Sequence, residues 1–351
     1  MIKISNCCLV DKSVENLNEI ATFHLSKVNP LTKKGVPYKN SLASRLKAAK
    51  DKFSSHDYLT SFCNGNIRHQ DRLKAFVDYF LSDDMAGLNR VILSSPQDFN
   101  SIVDEINSIV IPSDWLSSDG SKSDFYNTIS NDVFTYKNYR KSQSCIDTYK
   151  NLLGNQAQCF YCNNCKIDIV RFESGKEKLL LDLDHFYLKS KYPYFSLSFF
   201  NLIPCCSSCN SSVRGDIDFN TEHHINPYGH CFNSEYVFRL SSEEVVQLSL
   251  GTDNPFTSVN IIPSADSTRI NDRTVEDLGL IERYRNEIPT VNSLAMKYRR
   301  QKHLRDTAFE SFVEMIYGYQ YCEIPREPEF ISRIQMAKLK RDILAQLSGE
   351  D

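Results

Sequence analysis

The chain lacks any run approaching the roughly 18 consecutive apolar residues that a membrane-crossing helix needs, so no membrane association is expected. Its opening, Met1-Ile2-Lys3-Ile4-Ser5, lacks the basic-then-apolar layout of a secretory leader, and a cytoplasmic protein is expected. It also lacks an excess of charge of either sign. Lys plus Arg number 41 and Asp plus Glu 44, for a net charge of −3, so any surface for nucleic acid has to be a local patch. Only 12 Gly and 12 Pro stand among 351 residues, which excludes collagen-like and low-complexity chains, and no internal repeat is present. What remains is an ordinary globular composition, 41% hydrophobic and 24% charged, long enough for two or three structural units.

Against that background the 12 cysteines stand out. A reducing compartment argues against a disulfide framework, which leaves metal ligation or simple burial. Cys7, Cys8, Cys63 and Cys145 are scattered and read as small buried apolar residues. The others begin at Cys159, where the character of the sequence changes.

Residues 1–154 read as mainly helical, with apolar residues at helical spacing over 14–28, 41–53, 70–81 and 99–110, and a further helix over 139–153 that stops at Gly154. His24, His56 and His69 are isolated there and read as ordinary helix or surface histidines. Residues 166–172 and 178–184 form β-rich runs around Glu173-Ser174-Gly175-Lys176-Glu177, which predicts a hairpin. A loop over 186–204 and a helical turn over 207–213 are expected to follow. Beyond Asn220, residues 236–240 and 245–250 predict a second hairpin. Helix returns at the capping-box-like Thr274-Val275-Glu276-Asp277, is interrupted at Pro289, and resumes over 290–317 and 328–347. The expected fold class is therefore α+β, divided into 1–154, a chemistry-bearing insert at 155–235, and a hairpin plus helical region at 236–351.

Within the insert, Cys159-Phe160-Tyr161-Cys162 and Cys206-Ser207-Ser208-Cys209 are two C-x-x-C pairs. Each can grip a metal from a tight turn, and together they supply the four thiolates of a closed structural Zn²⁺ site. Cys165 and Cys205 compete for the same role, the first by forming another C-x-x-C with Cys162, the second by adjoining Cys206.

Inside that clasp lie Asp184-His185, then Asn201, then Cys206-Ser207-Ser208-Cys209-Asn210 and Arg214. This order resembles the HNH endonucleases over about residues 155–235. The resemblance implies a zinc-stabilised ββα-metal core inserted between mainly helical regions. It further implies His185 as general base, Asp184 and Asn210 as ligands of a catalytic Mg²⁺ or Mn²⁺, and Asn201 as the residue that fastens the loop and orients the base. An Asn in the last position suits a hard cation better than a soft one. Asp182 is left open as an alternative ligand. Because Asp184 and His185 are adjacent on a strand, a bend or bulge is expected to bring both to one site.

Around Lys189-Ser190-Lys191-Tyr192-Pro193 and Ile225-Asn226-Pro227-Tyr228 the sequence resembles a bacterial HNH subgroup often encoded beside ATPases in anti-phage systems of the Septu kind. That implies a DNA substrate, an ATPase or sensor protein as partner, docked by 1–150 or 274–351, and no small-molecule substrate. Lys189, Lys191 and Arg214 flank the site and are expected to meet phosphates. The helix containing Lys297-Tyr298-Arg299-Arg300 is a second candidate for backbone contact. His223, His224 and His230 read as loop residues that could approach the metal. An RNA-cleaving relative and a zinc-clasped binding module without chemistry are the competing readings.

Overall fold

A computed structural model describes residues 4, 17–250, 254–305, 324 and 328–349. Helices α1 (Leu17–Val28), α2 (Leu42–Ser54), α3 (His56–Ser61), α4 (Ile67–Leu93), α5 (Phe99–Ile109), α6 (Asp124–Asn127), α7 (Tyr136–Arg140) and α8 (Gln143–Leu153) make up the N-terminal half. Their starts are set by side-chain caps: Ser41, Ser55, Asn66, Ser123 and Ser142 each accept a backbone N–H of the first turn. The expected helix over 70–81 is the first part of α4, which breaks at Ser82–Met85 where Asp83, Asp84 and Met85 adopt positive φ. The expected start at residue 14 lies outside the described residues.

Three small antiparallel sheets follow. Strands β1 (Gln156–Gln158), β2 (Lys166–Arg171) and β3 (Glu177–Leu180) form one, and the β2–β3 register is the hairpin expected from the sequence. Residues 182–185 do not extend it. They form their own strand, β4 (Asp182–His185), paired with β5 (Leu202–Cys205), and a π-helical turn, Ser208–Arg214, follows directly. The order strand, loop, strand, helical turn spans the two C-x-x-C pairs.

The loop between β4 and β5 is packed rather than free. Tyr194 meets Phe76 of α4, Phe195 and Tyr187 meet Phe99 of α5, and Phe199 meets His24 of α1, with ring centroids 4.9–6.3 Å apart. These aromatic contacts join the N-terminal helices and the loop into one buried core, each fully buried ring stabilising it by roughly 1.5–3 kcal/mol.

Two expectations further along need correction. Residues 245–250 are not a strand: α9 (Phe232–Glu235) leads into β6 (Tyr236–Arg239), and then α10 (Ser242–Ser249) begins at a Ser241 side-chain cap. Ser241 Oγ accepts from Glu244 N at 3.2 Å and donates to the Glu244 carboxylate at 2.9 Å, which outweighs the strand preference of Val245 and Val246. The partner of β6 is instead β7 (Asn260–Pro263). The interruption expected at Pro289 falls just before it, at 286–287. After α11 (Thr274–Asp277) and α12 (Leu280–Arg285), helix α13 (Ile288–Arg305) carries Pro289 in its first turn, where the missing N–H has no helical acceptor to lose. The rest of the helix expected over 290–317 lies outside the described residues. The last helix is α14 (Ala337–Ser348).

Candidate metal centre and active site

The first C-x-x-C pair sits in the turn between β1 and β2, folded back by Asn163 N donating to Cys159 O at 2.8 Å, with Asn163 itself at φ 51°. The second pair opens the π-helical turn after β5. The sulfurs of Cys159, Cys162, Cys206 and Cys209 all lie within 4.8 Å of one another and all four residues are buried. Cys159 and Cys209 are 3.7 Å apart and Cys162 and Cys206 4.0 Å. A tetrahedral ion with Zn–S bonds of about 2.3 Å sets its sulfurs about 3.8 Å apart, so this cluster fits zinc. Cys165 and Cys205 are not among these four, although the half-buried Cys165 thiol hydrogen-bonds that of Cys162. Cys205 is paired with Asp182 across β4–β5, and on extended chain its side chain leaves the sheet opposite to that of Cys206.

The C-terminal region closes over the clasp. Arg283 Nη1 lies 3.0 Å from Cys209 Sγ, and Tyr284 donates to Cys162 O. Met336 N donates to Asn163 O at 2.7 Å and Asn163 Nδ2 to Ile331 O at 3.0 Å.

Strand β4 carries the acidic residues. Asp184 is buried; its Oδ2 accepts from Tyr161, inside the first C-x-x-C turn, at 2.7 Å, and its Oδ1 lies 3.2 Å from Arg214 Nη1. Burial pushes this carboxyl up, and the Arg214 charge and the Tyr161 hydroxyl oppose the shift. Arg214, expected at a substrate phosphate, is also buried: Nη2 donates to the carbonyls of His185 and Phe186 at 2.8 and 3.0 Å, and its guanidinium stacks 5.0 Å from the Phe219 ring. Its role here is internal, because a cation so enclosed has no face for a phosphate.

Asn210 does not meet Asp184. Its amide donates to Asp182 Oδ2 at 3.2 Å, and both of these residues are half-buried. With both Asp184 oxygens engaged, the Asp184–Asn210 pair as arranged does not fit a cation that keeps several waters. Asp182 and Asn210 are the adjacent oxygen donors with solvent access.

The expected bend at the end of β4 is absent. The ladder runs without a bulge through Asp184↔Ile203 and His185↔Leu202, so the two side chains leave opposite faces. His185 instead lies against the N-terminal helices. Its ring meets Tyr136 of α7 edge-on at 4.3 Å, and its Nε2 is 3.2 Å from Ser196 O. A carbonyl oxygen only accepts, so Nε2 carries the proton and Nδ1 the lone pair. Burial, and after it the charge of Lys189, hold the imidazole well below its ordinary value, hence neutral.

Asn201 is fully buried and fastens the loop from both sides. Oδ1 accepts from Tyr187 N at 2.6 Å, and Nδ2 donates to Tyr187 O and Phe195 O at 3.1 and 3.2 Å. Lys189 Nζ stands 5.6 Å from the Tyr136 ring, and exposed Lys191 pairs with Asp218 at 2.6 Å. His224 stacks on Phe219 at 4.0 Å and bonds Asp277 at 2.9 Å, and His223 faces Asn271 O at 3.3 Å; neither joins the cysteine cluster.

The sequence reading missed Tyr136, Arg140 and Tyr161. Tyr136 Oη donates to Leu183 O at 3.3 Å and Arg140 Nη2 to Leu181 O at 2.6 Å, so α7 satisfies the edge of β4 that β5 leaves open. Only their closeness to the end of the helical half hinted at this. No family model, curated protein or solved structure matches the chain. No helix among the described residues is long and apolar enough to cross a membrane.

Proposed function

We propose that the chain is an endonuclease that hydrolyses DNA phosphodiester bonds, with His185 as general base. The observation that carries this is the pinned tautomer: Nε2–H on Ser196 O leaves the Nδ1 lone pair for a water proton at the end of β4. The imidazole is neutral and held on two sides, so it can accept a proton, and the negative charge of an incoming phosphate would restore the proton affinity that burial and Lys189 lower. Asn201 holds the loop whose Ser196 carbonyl fixes that tautomer. Lys189, beside Tyr136, supplies positive charge next to the base for an incoming phosphate. The four-cysteine cluster, when it holds zinc, stabilises the fold and takes no part in proton transfer. The HNH resemblance adds an expected need for Mg²⁺ or Mn²⁺, a role as effector in anti-phage defence, and activation by an ATPase or sensor partner.

The test is cleavage of plasmid, linear duplex, single strand and tRNA with Mg²⁺ or Mn²⁺, comparing wild type with His185→Ala. The variant should keep its zinc and bind substrate, and it should cut on the order of 10²–10⁴-fold more slowly. Wild-type cutting rates from His185→Ala in single turnover would remove the base assignment. Preference for tRNA would favour the RNA-cleaving reading. Binding without cutting under every ion and partner would favour the binding module.

A further inference from the structure

Between Glu19 and Asp51 the chain carries six lysines and one arginine and no acidic residue, in a protein whose net charge is −3. The middle of this stretch is a short hairpin after α1, closed by a Leu31↔Pro37 bridge, with Thr32 N donating to Val36 O at 2.8 Å and Tyr38 N to Pro30 O at 3.1 Å. Gly35 turns its tip at φ 77°, a conformation open to glycine. The hairpin is ordered by these bonds, yet it buries little: Leu31, Val36 and Tyr38 are 42%, 58% and 52% exposed. Lys33, Lys34, Lys39 and, on α2, Lys47 are also exposed, and none meets an acidic side chain among the described residues. Lys50 differs, since it pairs with Asp78 at 2.5 Å.

This patch connects to the candidate active site through a short series of contacts. Tyr38 O, at the foot of the hairpin, accepts from Ser41 N and Ser44 Oγ at 2.9 and 2.8 Å. The next residue, Arg45, reaches Thr135 Oγ1. Thr135 adjoins Tyr136, whose ring lies 4.3 Å from that of His185.

We infer that the 30–39 hairpin and the first turns of α2 are the docking surface for duplex DNA, gripping its backbone beside the His185 centre. This deepens the nuclease reading and rests on it for the identity of the substrate. Four unpaired lysines supply counterion-releasing phosphate contacts. A two-stranded ribbon tipped by Lys33, Lys34 and Val36 has a size that the major groove of B-form DNA admits and the deep, narrow groove of an RNA duplex does not. Tyr38 adds an exposed aromatic face for contact at the groove wall. With no Arg, Asn or Gln in the ribbon for bidentate base contacts, the grip is expected to depend little on sequence.

The experiment compares Lys33→Ala/Lys34→Ala/Lys39→Ala with Lys33→Arg/Lys34→Arg/Lys39→Arg, both in the His185→Ala background so that the DNA survives. Affinity for a short fluorescein-labelled duplex is measured by anisotropy across a salt series, and zinc content and circular dichroism report folding. The alanine set should weaken binding on the order of 100-fold near ~0.1 M salt and flatten the log–log salt slope by about three, while the arginine set stays near wild type. Unchanged affinity and slope in the folded alanine set would overturn the inference. So would a loss seen with tRNA, or with phosphatidylserine vesicles, but absent with duplex DNA. If wild type binds through the hairpin yet cuts nothing, the nuclease reading fails and the docking surface stands.

Discussion

The β4–β5 hairpin has two ends with opposite designs. At the Cys205 end four thiols from two distant turns converge on one point, and segments of the C-terminal region seal it. Along the rest of the hairpin three residues that the sequence lines up for one task go to different neighbours: Asp184 to Tyr161 and Arg214, His185 at the far end to Tyr136 and Ser196, and Asn210 to Asp182, which pairs with Cys205. A closed metal site needs four ligands and no open position, so its geometry is complete in its residues alone. A site for a reaction has to leave room for substrate, so its polar groups rest against protein partners in the meantime. The clasp is also connected to the other end, because Tyr161 lies inside its first turn and holds Asp184.

The largest effect that separates the two ends is metal removal. Binding of a structural zinc is worth on the order of 10 kcal/mol or more of folding free energy, and here the ion would also hold the turn on which Met336 and Tyr284 dock. Purified protein should carry about one zinc per chain by elemental analysis. Cys206→Ser or prolonged chelation should abolish the thermal transition of the core and raise hydrogen exchange in α14. No mutation at the His185 end should do this. A metal-free chain with an unchanged transition would erase the distinction.

The second test asks whether Arg214 belongs to the fold or to the substrate. Arg214→Met removes the cation paired with the buried Asp184 carboxylate and frees the carbonyls of His185, Phe186 and Gly215, a loss of about 3–5 kcal/mol by the usual cost of orphaning a buried charge. Adding Asp184→Leu should recover much of that loss in a denaturant titration, because the orphaned charge goes with it. If instead Arg214→Met leaves stability untouched and weakens DNA binding, Arg214 faces phosphate after all.

How much of this was legible follows the same division. The cysteine quartet could be favoured from spacing, since C-x-x-C geometry is local, while Cys165 and Cys205 stayed competitors until the fold placed the sulfurs. The β2–β3 hairpin and most helices were likewise local, through their caps and periodicity. Asn201 as a loop fastener was legible only through resemblance, and its three bonds to the chain around Tyr187 and Phe195 are consistent with that part of the role. The partners of His185 were not legible, because Tyr136 and Ser196 reach it by tertiary packing, from 49 positions before it in the first case. The basic hairpin was overlooked for a different reason. Its charge is diluted by a net-acidic chain, and the Lys297 helix drew attention by its density. Val245 and Val246 misled as strand formers because the Ser241 cap is a stronger local signal than β-branching.

The smallest effect concerns the loop against which His185 rests. The carbonyl next to the one that fixes His185 belongs to Leu197, and it accepts from His24 Nε2 at 2.7 Å, while His24 Nδ1 faces the Tyr139 hydroxyl at 2.9 Å. Around that imidazole stand Tyr139, the Leu197 carbonyl and the Phe199 ring, with no carboxylate bonded to it among the described residues. Burial therefore pulls His24 down to about 4 from 6.5, the Leu197 bond opposing only in part. In the window between those values the unfolded chain binds a proton that the folded chain refuses, so stability rises with pH there and is lost as pH falls. Between pH 7 and pH 5 the loss from this one group is about 2 kcal/mol. His185 shifts in the same direction, so wild type should show a steeper decline than either single change. His24→Gln, which can still donate to Leu197 O, should flatten the denaturant-derived stability profile across pH 5–7 by that amount and leave the zinc content unchanged. A profile as steep in His24→Gln as in wild type would mean that the decline comes from elsewhere, and that the histidine joining α1 to the loop between β4 and β5 is not protonated on unfolding in that range.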